Sequence, residues 1–139
     1  MKYIITNKQY QLLKEDEQEI LDIPSVKLFG GWDNLQEYLK RKGNPPYSIG
    51  GELNLAYTEI KSLGNLISVG GRLDLRHTPI KSFGNLKSVG GDLHLGGTPQ
   101  IKSFGNLQSV GGALYLGRTP ILMTKKQIRE KINVGGEIY

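Results

Sequence analysis

An eight-residue phrase returns four times along this chain. Ser48-Ile49-Gly50-Gly51-Glu52-Leu53-Asn54-Leu55 is followed by Ser68-Val69-Gly70-Gly71-Arg72-Leu73-Asp74-Leu75, by Ser88-Val89-Gly90-Gly91-Asp92-Leu93-His94-Leu95 and by Ser109-Val110-Gly111-Gly112-Ala113-Leu114-Tyr115-Leu116, at spacings of 20, 20 and 21 residues. The second half of the unit recurs too: Thr58-Glu59-Ile60-Lys61-Ser62-Leu63-Gly64-Asn65-Leu66 aligns with Thr78–Leu86, and with Thr98–Leu107 once one extra residue in Thr98-Pro99-Gln100-Ile101 is allowed for. A period of this length means stacked units. One unit cannot bury its own apolar residues, so each must lean on its neighbours.

Within a unit, x-Leu-x-Leu-x has a period of two and reads as a short strand with both leucines on one face. Gly-Gly lets the chain turn into that strand, and Thr-Pro-Ile turns it out again, because proline fixes φ and donates no hydrogen bond. The Ile, the Leu or Phe, and the Leu after Gly-Asn then point back inside. Successive strands are expected to lie parallel, one rung of roughly 4.8 Å above another.

Val69-x-x-x-Leu73-x-Leu75-x-x-Thr78-x-Ile80 resembles the leucine-rich repeat, Leu-x-x-Leu-x-Leu-x-x-Asn-x-Leu. Thr58, Thr78, Thr98 and Thr119 stand where that family has Asn, and the Gly-Gly before the strand is similar to the repeats of receptor L domains. The resemblance covers 48–120. It implies an α/β repeat solenoid with a parallel sheet of about five to six short strands. A twenty-residue unit leaves no room for a helix on the convex side, so extended or 3₁₀ backbone is expected there. The resemblance implies little about function, since such folds host many binders. The opening Met1–Thr6 and the small size are similar to small phage or bacterial proteins.

The flanks are expected to close the stack. Residues 1–47 read as a helical N-terminal cap, 48–120 as the solenoid, and 121–139 as a C-terminal cap with a final half-repeat. Thr6-Asn7-Lys8-Gln9 is a capping box for a helix from Asn7 to about Ile20, after a short strand at Lys2–Ile5. Val26–Phe29 reads as a strand, a degenerate first rung. Asp33 caps a second helix, Asn34–Lys42, with Trp32, Leu35, Tyr38 and Leu39 on its apolar side and Gly43-Asn44-Pro45-Pro46 stopping it. Thr124 caps a helix from Lys125 to about Ile132. Val134-Gly135-Gly136-Glu137-Ile138-Tyr139 then matches Val110–Tyr115, so a last strand is expected at Glu137–Tyr139.

The chain has no cysteine, hence no disulfide or thiolate metal site, which fits a reducing, cytoplasmic setting. Its longest apolar runs fall far short of the ~20 residues that span a bilayer. The net charge of +5 is spread thinly over the repeats and the C-terminal segment. That permits nucleic-acid contact without arguing for it.

Function is sought where the copies differ. One outward column holds Glu52, Arg72, Asp92, Ala113 and Glu137, whose first three members alternate in sign and are expected to pair across rungs. The next holds Asn54, Asp74, His94, Tyr115 and Tyr139. Beyond the strand come Ala56, Arg76, Gly96 and Gly117, then Tyr57, His77, Gly97 and Arg118. Asn54, Tyr57, Asp74, Arg76, His77, His94, Tyr115 and Arg118 are the candidate contact residues on the concave face, because mixed Tyr, Arg and His suit an interface. Asp74 and His94 lack a nucleophile and a third ligand, so neither catalysis nor a metal or other cofactor is expected. Lys61, Lys81 and Lys102 form a basic column, but no aromatic residues interleave with them for base stacking. Ser62, Ser82, Ser103, Asn65, Asn85 and Asn106 form ladders expected to point inward and satisfy backbone groups between rungs, and the column Thr58, Thr78, Thr98 and Thr119 is expected to do the same at the strand exit. The expectation is therefore a non-enzymatic protein-binding module, a monomer or weak oligomer, with a structural or self-assembling role (for example in a virion) or weak nucleic-acid binding through the Lys61, Lys81 and Lys102 ridge as the alternatives.

Overall fold

The computed structural model describes residues 19–139. The expected strand at Lys2–Ile5 and nearly all of the helix expected from Asn7 lie outside the described residues, and Glu19 and Ile20 adopt no regular structure.

The chain winds as a parallel-strand solenoid, but each rung carries two strands rather than one. A six-stranded parallel sheet runs in the order β1 (Leu21–Ile23), β2 (Tyr47–Ile49), β4 (Leu66–Val69), β6 (Ser88–Val89), β8 (Ser109–Val110) and β10 (Asn133–Val134). A four-stranded parallel sheet runs β3 (Leu53–Asn54), β5 (Leu73–Asp74), β7 (Leu93–His94) and β9 (Leu114–Tyr115). The expected single sheet is thus corrected. Ser-Val before each Gly-Gly is itself a strand, and Gly-Gly is the corner between two sheets.

The corner explains the glycines. A Cβ on Gly70 would overlap the carbonyl oxygen of Gly50, and Gly90, Gly111 and Gly135 stand in the same relation to Gly70, Gly90 and Gly111. These residues are needed for close approach between rungs, not for an unusual φ. The rungs are sewn there by Gly70 N–H to Ile49 O (2.7 Å), Gly90 N–H to Val69 O (2.8 Å) and Gly111 N–H to Val89 O (2.8 Å).

The core is the stack of inward columns. Leu53, Leu73, Leu93 and Leu114 are buried, as are Val69, Val89 and Val110 and the returning Ile80, Phe83 and Leu86 with their counterparts Ile101, Phe104 and Leu107. The return segment is non-helical, in line with the short unit. The extra residue of the third unit is taken up by a turn at Pro99–Gln100, so that Ile101 regains the core and Leu93 stays paired with Leu114.

The ladders act more locally than expected. Each Thr hydroxyl donates to the Leu carbonyl three residues back in its own rung: Thr58 to Leu55 O (2.6 Å), Thr78 to Leu75 O (2.9 Å), Thr98 to Leu95 O (2.7 Å) and Thr119 to Leu116 O (2.8 Å). Ser62 and Ser82 accept from the N–H of Gly64 and Gly84. Only the asparagines bridge rungs, and from exposed or half-buried positions rather than inward ones: Asn65 Nδ2 to Asn44 O (2.6 Å), Asn85 Nδ2 to Asn65 Oδ1 (3.3 Å) and Asn106 Nδ2 to Gly84 O (3.3 Å).

Val26–Phe29 is a 3₁₀ helix rather than a strand, with Ser25 Oγ accepting from Lys27 N–H and Gly30 closing it at φ 80°. The degenerate first rung is β1 instead, just upstream. Helix α1 spans Trp32–Arg41; its N-cap is Gly31, and Asp33 sits in the first turn rather than at the cap. Leu35 and Leu39 of α1 are buried against the stack. Tyr47 fastens the helix there: its hydroxyl donates to Leu63 O (2.8 Å) and accepts from Gln36 Nε2 (3.2 Å), and burial pushes the phenol up to about 12. At the other end, α2 (Lys125–Lys131) begins at the expected Thr124 cap, which Gln127 closes reciprocally into a capping box. Residues 137–139 continue the four-stranded sheet: Leu114 N–H reaches Glu137 O, Tyr139 N–H reaches Leu114 O and Leu116 N–H reaches Tyr139 O, each at 2.8 Å.

Candidate functional site

The outward side of the four-stranded sheet, with the turns that leave it, gathers the candidate residues. Register places Asn54 beside Asp74, Asp74 beside His94, and His94 beside Tyr115. The rings then stack: His94 on Tyr115 at 4.0 Å between centroids, and Tyr115 on Tyr139 at 4.9 Å, with interplanar angles of 16° and 15°. A second stack joins Tyr57 and His77 at 4.8 Å and 16°. A rung spacing close to the thickness of stacked rings makes this geometry the natural one for aromatics in register.

Tyr57, His77 and Arg118 share a conformation as well as a column. Their φ angles are 61°, 55° and 61°, and Gly97, the fourth member, is at 72°. Three L-residues thus occupy the left-handed position that glycine fills most cheaply. Gly97 has a reason to be glycine: a Cβ there would stand 2.6 Å from Cε1 and Nδ1 of His77. The imidazole is therefore held between the Tyr57 ring and the Gly97 backbone.

Asp74 is not a free contact. The residue is buried at 2% exposure, and its side-chain oxygens accept from Arg76 Nε (2.9 and 3.1 Å), Arg76 Nη2 (2.8 Å), Arg76 N–H (3.2 Å) and Arg72 Nη2 (3.3 Å). Burial alone would raise its pKa, but the hydrogen bonds from Arg76 and the charges of Arg76 and Arg72 hold the carboxyl below its ordinary value. The same pairing raises Arg76. These contacts correct two expectations. The Glu52–Arg72–Asp92 column does not pair across rungs, because Arg72 turns to Asp74 in its own rung, and Asp92 Oδ1 accepts instead from Ala113 N–H (2.8 Å). Asp74 positions Arg76 instead of presenting its own charge.

His94 does not form a dyad with Asp74, whose oxygens are taken by the two arginines. Burial, followed by the charge of Arg72, lowers the imidazole's pKa. Among the described residues, no three His, Asp or Glu side chains come together as a metal site, and no helix is long and apolar enough to cross a membrane. Lys61, Lys81 and Lys102 are exposed, and among the described residues no aromatic ring lies against them.

Tyr139 is the residue of this face that a reading confined to four copies would miss. Its membership of the column follows from matching Val134–Tyr139 to Val110–Tyr115, and the structure adds the stack on Tyr115. No signal in the sequence marks the left-handed column, because three of its four members are not glycine. Comparison with protein-family models, curated proteins and solved structures finds no match.

Proposed function

We infer that this protein is a leucine-rich-repeat-like, non-enzymatic protein-binding module. Its contact face is the outer side of the four-stranded sheet and the turns that leave it. The observation that carries the reading is the contrast between columns. Inward positions repeat, while the outward ones differ from rung to rung and are held in stacked, bonded arrangements. Rings fixed by their neighbours lose little conformational freedom on binding, which is how a rigid surface gains affinity.

The stacking also favours a protein partner over a nucleic acid. Nucleotide bases bind aromatic side chains through open ring faces. Here Tyr115 has both faces covered by His94 and Tyr139, so it offers its edge and hydroxyl, and the face of His94 that lies on Tyr115 is closed to a base as well. Ring edges and hydroxyls suit carbonyls and carboxylates of a polypeptide surface. Arg76, held by Asp74, and Arg118, on its turn, add charged donors to the same side.

The test is affinity capture with the wild-type chain against an Arg76→Ala/Tyr115→Ala/Arg118→Ala variant of equal stability. Loss of specific partners from the variant is expected. Recovery of the same partners by both would remove this face from the function.

A further inference from the structure

The two sheets are unequal at the N-terminal end. β1 gives the six-stranded sheet a rung that precedes β2, but the four-stranded sheet starts only at β3. After β1 the chain does not continue as Gly-Gly-x-Leu-x-Leu. It passes through Pro24 and Ser25 into the 3₁₀ helix Val26–Phe29. One strand position is therefore empty among the described residues.

The backbone at that position is ready for pairing. Within this sheet, Leu N–H groups donate to the carbonyls of the intervening residues one rung on: Leu53 to Arg72 O (2.8 Å), Leu55 to Asp74 O (2.9 Å), Leu73 to Asp92 O (2.9 Å) and Leu75 to His94 O (2.9 Å). The equivalent carbonyls of the first rung, Glu52 and Asn54, face the empty side. So does the Asn54 N–H, by the alternation of a parallel ladder. None of the three has a backbone partner among the described residues. Beside this edge runs a groove of about 510 Å³, with Val26 and Trp32 on one wall, Leu53 and Leu55 on the other, and Lys27 and Glu52 on its lining.

We propose that the edge of β3 left unpaired among the described residues docks an extended peptide segment of a protein partner, added as one further parallel strand. Backbone hydrogen bonds to Glu52 O, Asn54 N–H and Asn54 O supply register. Alternate apolar side chains of the segment enter between Trp32 and Leu55. Lys27 and Glu52 favour an acidic residue and a basic residue, respectively, beside them. The parallel direction follows from the rest of the sheet, in which every pairing is parallel. This site uses the backbone edge of β3, whereas the proposed contact face uses outward side chains of the same sheet, so either can fail without the other.

The probe is a synthetic peptide copying residues 70–77, Gly-Gly-Arg-Leu-Asp-Leu-Arg-His, because this sequence already forms an inner strand of the same sheet. It is titrated into the full chain. Trp32, the sole tryptophan, reports on the groove by its emission, and amide exchange reports on Asn54. A saturable change in emission is expected, with Asn54 exchange slowed by about tenfold or more. The same peptide N-methylated at both leucines, which removes two donors, should fail to bind. Four results would each overturn the proposal: no response at millimolar peptide, equal binding of the methylated peptide, protection confined to Ile138 at the opposite edge, or an Asn54 amide already protected before peptide is added.

Discussion

Asp74 and Arg76 sit two residues apart on one rung, and the buried carboxylate of the first takes both the backbone N–H and the guanidinium of the second. The arginine is thereby fixed as it leaves the sheet. Asp74→Ala should destabilise the fold by about 1–2 kcal/mol in urea melts, a value kept low because Arg72 and Arg76 remain partly in water. Because the folded-state pKa lies below the unfolded one, the stabilisation is present above about pH 3.9 and is lost as pH falls below it. The variant should lose this acid-side slope. An unchanged slope would mean that the pair is not formed in solution.

His94 gives a second window of pH dependence. Its folded-state pKa is lowered, so the folded chain binds fewer protons than the unfolded chain below about pH 6.5. Stability is complete above that pH and declines as pH falls through the folded value. His94→Phe keeps a ring on Tyr115 but cannot titrate, and urea melts of this variant should change less between pH 7.5 and 5 than those of the wild type.

Two glycines separate close approach from mere flexibility. Gly90→Ala places a methyl against the Gly70 carbonyl and should cost about 3 kcal/mol or more. Gly117→Ala meets nothing within 4 Å and has no left-handed φ, so it should stay within about 0.5 kcal/mol of wild type. Thermal melts of the pair decide the matter.

Arg118→Gly relieves a left-handed L-residue. Its melting temperature should stay level or rise, with a gain of up to about 1 kcal/mol, since the strain relieved and the added freedom of the unfolded chain partly offset each other. The same variant should recover less partner in affinity capture. A destabilised variant would show that the arginine serves the fold.

Arg129 closes the last rung from α2, with Nη1 on Val134 O (3.0 Å) and Nη2 on Gly136 O (2.8 Å). Arg129→Ala should cost about 0.5–1.5 kcal/mol. Its signature should be local: faster amide exchange at Gly135 and Gly136, with Gly90 unaffected.

Much of this architecture was legible because it repeats. Leu73 and Leu75 announce an inward face by their spacing, and three further copies of the same pair remove the ambiguity of any one. Thr124 and Gln127 announce a helix start by a purely local exchange of hydrogen bonds. The second sheet was harder to see, because Ser-Val is too short to show a period and Gly-Gly suggests a turn more strongly than a crowded corner. Val26–Phe29 misled for a related reason: four apolar-rich residues suit a strand, but Ser25 and Gly30 bracket them as a helical turn. At the site, register predicted which residues would be neighbours. It could not predict that Arg72 would choose Asp74 over Glu52 or Asp92, since that depends on which carboxylate is already buried.

The turn at Pro99–Gln100 shows how such a chain keeps time. A rung with one residue too many still delivers Ile101 to the interior and Leu114 to Leu93. What the stack requires is arrival at the core in the right order, not a fixed count between arrivals. The outer bend after the threonine is thus a natural seam, where a graft could lengthen one storey of the column while leaving those above and below in step.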